Sequence, residues 1–398
     1  MVDFSKNSEP ISAAEKLKNL VSILIGLVLF VLSIQLITGG FKNLGEMMAD
    51  SVMQATSNPF IGFFIGLLVT AILQSSSTTT TMTVALVAAG TLPLTQAVPI
   101  VIGANVGTTL TSTLVSLSYI TKRNEFVKAF SAGTVHDLFN IFVALILFPL
   151  ELRYQLLSTV SAKIGSVIPV AEGTLYIRGI NSYFDPIILF FTSNLGPTLT
   201  ILVGLILLFS IVKFVSSLLY KRWFSKTQSD GSTLNSNIKS FGWGLLITSA
   251  IQSSSLSTSL MVPLVATGQV KLKRAFIFII GANLGTTVTA LFAALFESQV
   301  AISLAIAHLI FNLVGCLFFL LIPALNRLIT FTANQLAILT LRNRMMGLAY
   351  ILLTFFILPF TLIYLSKTTN VLHAAKTDSQ TIEFQKHPTD LLDSPIND

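Results

Sequence analysis

The chain carries the same passage twice. Gln74-Ser-Ser-Ser77 recurs as Gln252-Ser-Ser-Ser255, and Gly103-Ala-Asn-Val-Gly-Thr-Thr109 recurs as Gly281-Ala-Asn-Leu-Gly-Thr-Thr287, both at an offset of 178. Between Gln74 and Thr109, 19 of 36 positions match their counterparts without a gap. The offset holds backward to Gly66/Gly244 and Gly26/Gly204. Forward, after a six-residue shift, His136-Asp-Leu-Phe-Asn140 aligns with His308-Leu-Ile-Phe-Asn312. Chance does not produce such a match, so whatever one half folds into constrains the other.

The medium follows from composition. Of 398 residues, 53% are apolar and 10% charged, with a mean hydropathy of +0.80; a soluble domain carries roughly 25% charged residues. This is a polytopic membrane protein, held in a lipid bilayer, and neither a cytosolic enzyme nor a disordered chain. The single cysteine, Cys316, excludes a disulfide scaffold, and no cluster of metal-binding types suggests redox or zinc chemistry. The net charge of +7 sits in short loops between apolar runs, which is a membrane pattern rather than a nucleic-acid one. Residues 1–19 read as a cytoplasmic segment, and Leu20 to Thr38 as a retained first span. Further spans are expected at about 97–120, 126–150, 197–220, 275–296, 299–323 and 346–366.

Two apolar runs, 59–90 and 237–268, are longer than the ~20 residues that one crossing needs and are interrupted at the middle by Gln-Ser-Ser-Ser, so that a crossing helix and a re-entrant hairpin are both open until loop charge is counted. Two half-helices meeting at a polar tip fit them as re-entrant hairpins. If both enter and leave on one side, the inside segments (1–19, 121–128, 221–240, 269–276, 326–345) hold 16 Lys and Arg, and the outside segments (41–58, 91–98, 151–185, 297–300) hold 4. That is the positive-inside bias. Segments 41–58 and 91–98 sum to −1, whereas their repeat partners 221–240 and 269–276 sum to +6, so the second copy is upside down. The expected fold is therefore an all-α polytopic membrane protein of two inverted-topology repeats, each with a re-entrant helical hairpin and a broken or Gly-rich helix. The first repeat covers 20–150, a connecting segment 151–196 and the second repeat 197–325. An interfacial helix and a last apolar segment cover 326–366, and a polar tail 367–398. Residues 153–168 and 328–344 read either as amphipathic interfacial stretches or as plain connections. Inverted repeats with interrupted segments at matching places point to a secondary transporter with its site where the repeats meet.

Polar clusters inside apolar runs need partners. At a hairpin tip, freed backbone N–H groups, serine hydroxyls and the positive end of a helix dipole make an oxyanion site without a fixed cation. Hydroxyls and amide carbonyls suit a hard cation such as sodium, and the runs Thr78 to Thr81 and Ser257 to Ser259 add to them. Gly-Ala-Asn-x-Gly-Thr-Thr has the spacing that lets helix backbones touch. It either packs helices or brings Asn105, Asn283 and the adjacent threonines beside the tips as cation ligands. Asp137 is the only acid well inside an apolar run, and a candidate cation ligand; Leu309 replaces it in the second copy. His136 and His308 read as core histidines that find partners. No paired carboxylates, nucleophile–base set or P-loop is present, so an enzyme is not expected.

Together, the two Gln-Ser-Ser-Ser tips, the two Gly-Ala-Asn-x-Gly-Thr-Thr stretches and Thr134-Val-His-Asp-Leu-Phe-Asn140 resemble the type II sodium–phosphate cotransporter family over about residues 20–325. The resemblance implies inward symport of inorganic phosphate, driven by sodium as the co-transported ion with no organic cofactor, through an elevator-like movement of the hairpin domain. By position it places phosphate at Gln74, Ser75, Ser76, Ser77, Gln252, Ser253, Ser254 and Ser255, with Thr108 nearby. It places sodium at Gln252, Ser253, Thr286 and Thr289, and a further sodium at Asp137. Tyr119 stands where the family has a glutamine. Residues 151–185 lack the large cysteine-containing loop of animal members, which suggests a bacterial protein of the inner (plasma) membrane. A scaffold resting against a second copy, as a homodimer, fits the same picture. Sulfate, arsenate or a dicarboxylate is the alternative cargo.

Overall fold

The computed structural model describes residues 13–44, 46–168, 175–227, 234, 236–361 and 363–364. Among the described residues every regular element is helical, and seven helices are long and apolar enough to cross a membrane. They overlap the seven spanning runs read from the sequence, and the protein is an all-helical, multi-pass membrane protein. Most of segment 1–19 and all of the tail 367–398 lie outside the described residues.

The chain opens with α1 (Ala13–Asn43) and the short α2 (Glu46–Ala55). Next come α3 (Pro59–Leu73) and α4 (Ser76–Ala88), then α5 (Leu94–Gly107), α6 (Leu110–Leu117) and α7 (Arg123–Tyr154). After α8 (Leu156–Val167) and α9 (Leu175–Thr227) the order is taken up again by α10 (Asn237–Ile251), α11 (Ser254–Ser259), α12 (Met261–Ala266), α13 (Leu272–Ala294) and α14 (Gln299–Leu321). Beyond these come α15 (Pro323–Arg342) and α16 (Arg344–Leu352), followed by a π-helical turn at Leu353–Ile357. The 153–168 stretch becomes α8, seated on α14, and 328–344 falls mostly in α15, which runs along α7.

Local chemistry sets the breaks. Gly196, with φ 78°, interrupts α9 just before Pro197, at the Asn194-Leu-Gly-Pro197 signal. Pro263 cannot donate to the carbonyl four residues back, and the α11–α12 helix breaks at Leu260. α3 and α10, of 15 residues each, are too short to cross a bilayer. Each ends at its Gln-Ser-Ser-Ser turn.

Glycines make the duplicated packing close. A Cβ at Gly66 would fall on the Ile100 carbonyl oxygen, and one at Gly103 on the Phe63 carbonyl oxygen. At the equivalent crossing, Gly244 meets the Phe278 carbonyl and Gly281 the Phe241 carbonyl. Backbone thus lies on backbone where α3 crosses α5 and where α10 crosses α13, which seats α3 and α10 each on the Gly-Ala-Asn helix of its own copy.

The turn between α13 and α14 is tied to α1. Gln35 Nε2 and Thr38 Oγ1 donate to Glu297 Oε1 at 3.2 and 3.1 Å. Burial lifts the Glu297 carboxyl to about 7, against the opposing Thr38 hydrogen bond and Lys42 charge. The folded protein therefore holds this proton more tightly than the unfolded chain does, and stability falls as pH rises from the ordinary glutamate range towards 7.

Two outcomes are expected. Gly103→Ala should destabilise the purified protein by about 1–3 kcal/mol in denaturant titrations, since the carbonyl it meets is backbone and cannot turn aside. Glu297→Gln should flatten the fall in melting temperature between pH 5 and 7, read by tryptophan fluorescence on heating.

Candidate functional site

Both tips use the same backbone device. Gln74 (φ 54°) and Gln252 (φ 57°) end α3 and α10 in the left-handed conformation, each donating its N–H at 2.7 Å to a carbonyl four residues back, Thr70 and Thr248. Among the described residues only one other non-glycine, Gln155, has a positive φ. Such conformations persist where surrounding structure over-determines them, and they cluster at functional sites. Ser75 and Ser253 then cap the second arms, their hydroxyls accepting from the N–H of Thr78 and Leu256. The remaining N–H groups at the arm starts have no partner within the helix.

The tips bind each other reciprocally. Ser77 Oγ donates to the Gln252 carbonyl at 2.9 Å, and Ser255 Oγ donates to the Gln74 carbonyl at 3.2 Å. These four residues pair under the 178 offset, so the bonds are two copies of one contact. Thr108 Oγ1 joins them, 3.2 Å from Ser255 Oγ and 3.4 Å from Ser254 Oγ. One turn further along α6, Ser112 meets Thr258 at 2.9 Å. The structure therefore brings Gln74 to Ser77, Gln252 to Ser255 and Thr108 into one cluster. Gln74 is exposed and Gln252 half-buried, while Ser76, Ser77, Ser254 and Ser255 are buried.

Thr286 and Thr289 stand on α13, which packs against both α10 and α11. Thr286 Oγ1 donates to the Ala282 carbonyl at 3.0 Å, which leaves its oxygen able to accept or ligate. Thr289 Oγ1 is buried with no hydrogen-bond partner, as are those of Thr80, Thr81, Thr111 and Thr248, and Ser259 Oγ. Thr81/Ser259 and Thr111/Thr289 are again pairs under the offset. Buried hydroxyls without partners cost free energy, and oxygen-seeking cations satisfy them.

Asn105 and Asn283 are engaged elsewhere. Asn105 Oδ1 takes His308 Nε2 at 3.2 Å and Asn312 Nδ2 at 3.1 Å. Asn283 Oδ1 lies 2.8 Å from His136 Nε2, and its Nδ2 donates to Asn140 Oδ1 at 3.2 Å. Each asparagine is thus held by the histidine and asparagine of the opposite repeat. Asp137 sits apart from these, fully buried. Its Oδ2 accepts from Thr113 Oγ1 at 2.6 Å and from the Tyr350 phenol at 3.0 Å. Sequence reading missed Ser112, Thr113 and Tyr350; no repeat or motif marks them, and only the packing of α6 on α11 and α7 and the reach of the Tyr350 side chain to α7 bring them in. Among the described residues no lysine or arginine hydrogen-bonds to a tip residue, and no cluster of three or more His, Cys, Asp or Glu is present.

Because the two cross-tip bonds form one unit, Ser77→Ala and Ser255→Ala should each cost about 1 kcal/mol of stability. The double variant should depart from additivity by about 0.5 kcal/mol or more. Chemical unfolding of the purified protein in detergent measures both.

Comparison with known proteins addresses the same region. The Na+/Pi-cotransporter family model matches residues 14–170 and 201–367. The sodium-dependent phosphate transport protein 2A of Mus musculus is 28% identical over 429 residues, covering 86% of this chain and 67% of that protein. The corresponding figures for protein 2B of Homo sapiens are 27% identity, 86% and 65%. Those for protein 2C of Rattus norvegicus are 30% identity, 89% and 75%. The chain thus spans about two thirds of the length of the curated relatives it matches. No solved structure matches the chain at significance. The two matched stretches carry both tips and both Gly-Ala-Asn helices, and the family is one of transporters rather than enzymes: the chain belongs to the Na+/Pi-cotransporter family.

Proposed function

We propose that this protein is a sodium-coupled symporter that carries inorganic phosphate into the cell by alternating access. The observation that carries the reading is the reciprocal pair of serine–carbonyl bonds joining two duplicated, strained tips. Phosphate near neutral pH is a mono- or dianion and does not enter hydrocarbon unaided. The N–H groups and hydroxyls of Gln74 to Ser77 and Gln252 to Ser255, with Thr108, are donors of the kind that cradle such an oxyanion. The tips supply no cationic side chain, so sodium provides the missing positive charge. Gln252, Ser253, Thr286 and Thr289 offer it oxygen ligands, and Asp137 offers a second cation a carboxylate. Coupling follows because the anion and the cations neutralise each other in one cluster.

In the same reading α3–α4 and α10–α12 are re-entrant hairpins of two inverted repeats, 20–150 and 197–325. Their identical glycine crossings and the opposite charge of their loops support it. Asn105 and Asn283 contribute by fastening each repeat to the other. Basic loops face the cytoplasm of a plasma (inner) membrane. The α1–α9 pair, with Leu24, Ile25, Val28 and Ile206 exposed, is the scaffold face that lipid or a second copy covers, and the hairpin domain moves against it.

The test is radiolabelled phosphate uptake into proteoliposomes under an inward gradient of sodium or of choline. Uptake is expected with sodium alone, and Gln252→Ala should reduce it at least tenfold. Folded wild-type protein that takes up no phosphate with sodium, but does take up sulfate or a dicarboxylate, would reassign the cargo. Undiminished uptake by Gln252→Ala would move the site away from the tips.

A further inference from the structure

The carboxylate of Asp137 is held in part from outside the duplicated region of the chain. Thr113 and Tyr350 both donate to Oδ2, at 2.6 and 3.0 Å, whereas Oδ1 is buried and accepts no hydrogen bond. Thr109 stands beside the group, but its own hydroxyl is spent on the Val106 carbonyl at 2.9 Å. Tyr350 belongs to α16, beyond both repeats, and the second copy has Leu309 in place of the acid. The Asp137–Tyr350 pair is thus an asymmetric addition to a symmetric site.

Close approach of α16 makes the bond reachable. A Cβ on Gly347 would lie 2.6 Å from Thr340 Cγ2 and 3.6 Å from side-chain carbons of Leu117 and Phe130. Gly347 and Tyr350 are three residues apart and share a helix face, so the packing that needs a glycine also delivers the phenol. The Tyr350 ring leans on the Phe126–Phe130–Ala337 cluster, which fixes where its hydroxyl falls. The π-helical turn Leu353–Ile357 follows directly, and such turns recur at functional sites.

We propose that Tyr350 is a positioning residue for a sodium ion at Asp137: with Thr113 it pins Oδ2, so that the bare Oδ1 is presented to the cation and α16 becomes part of the ion site. This rests on the reading of Asp137 as a cation ligand. A carboxylate already held by two donors loses little freedom when the ion arrives, which favours binding. Without the phenol, only Thr113 opposes rotation of the group. A purely structural bond would behave differently, because its loss would lower the maximal rate without moving the sodium dependence.

The experiment measures phosphate uptake into proteoliposomes as a function of sodium, together with sodium-dependent thermal stabilisation of the full chain in detergent. Tyr350→Phe is expected to raise the half-activating sodium concentration about five- to tenfold, leave phosphate half-saturation at saturating sodium unchanged, and add nothing in an Asp137→Asn background. Where Asp137→Asn transports too slowly, stabilisation by sodium gives the same comparison. Gly347→Ala should shift sodium dependence in the same direction. Adding Thr340→Ser, which removes the methyl the new Cβ meets, should restore it.

Unchanged sodium dependence in Tyr350→Phe, an equal shift on top of Asp137→Asn, or a loss confined to the maximal rate would each overturn the proposal. If Asp137→Asn keeps wild-type sodium dependence, the reading of Asp137 itself fails. If Asp137→Asn shifts it and Tyr350→Phe does not, only the role of Tyr350 fails.

Discussion

A polar group shut inside an apolar helix bundle has to be satisfied by the protein, and this requirement organises the molecule. Hydroxyls and amides lie at the middle of segments that are otherwise hydrocarbon, where an unmet hydrogen bond costs several times what a met one contributes. The solution used here is exchange between the copies. Ser77 and Ser255 satisfy each other's tip carbonyls, and His136–Asn140 and His308–Asn312 satisfy the asparagines of the opposite Gly-Ala-Asn helix. Neither copy meets all of its own polar needs, so each holds the other in register.

Glycine makes that exchange geometrically feasible. With backbone on backbone at Gly66, Gly103, Gly244 and Gly281, α3 and α10 are fixed against α5 and α13. Each tip then emerges at a set height, and the left-handed Gln74 and Gln252 turn the chain there. What is left over after the mutual bonding is a set of buried hydroxyl oxygens without partners, four of the six in pairs related by the duplication. An ion-coupled carrier needs such a set: ligands that are pre-assembled but not consumed by the fold.

Symmetry is broken where ions of different kinds would have to be distinguished. Asp137 has no acidic counterpart, Thr108 bonds to the opposite tip while Thr286 bonds back along its own helix, and the first tip is more exposed than the second. On the proposed mechanism these differences separate the two cation sites and let one tip open while the other stays covered.

The sequence alone determined the medium, the seven spanning runs and the duplication, because hydropathy and repetition act locally and leave their mark residue by residue. It also singled out the tips, since a polar cluster in an overlong apolar run has few structural uses. It left open whether Asn105 and Asn283 pack helices or ligate ions, and it gave no sign of Ser112, Thr113 or Tyr350. Those belong to tertiary structure. Whether an amide is spent or spare depends on what another helix presents within about 3 Å, and one of the two donors to Asp137 lies 213 positions away on a helix outside either repeat. Distance along the chain carries no record of such meetings; only the packing of α16 at Gly347 decided this one.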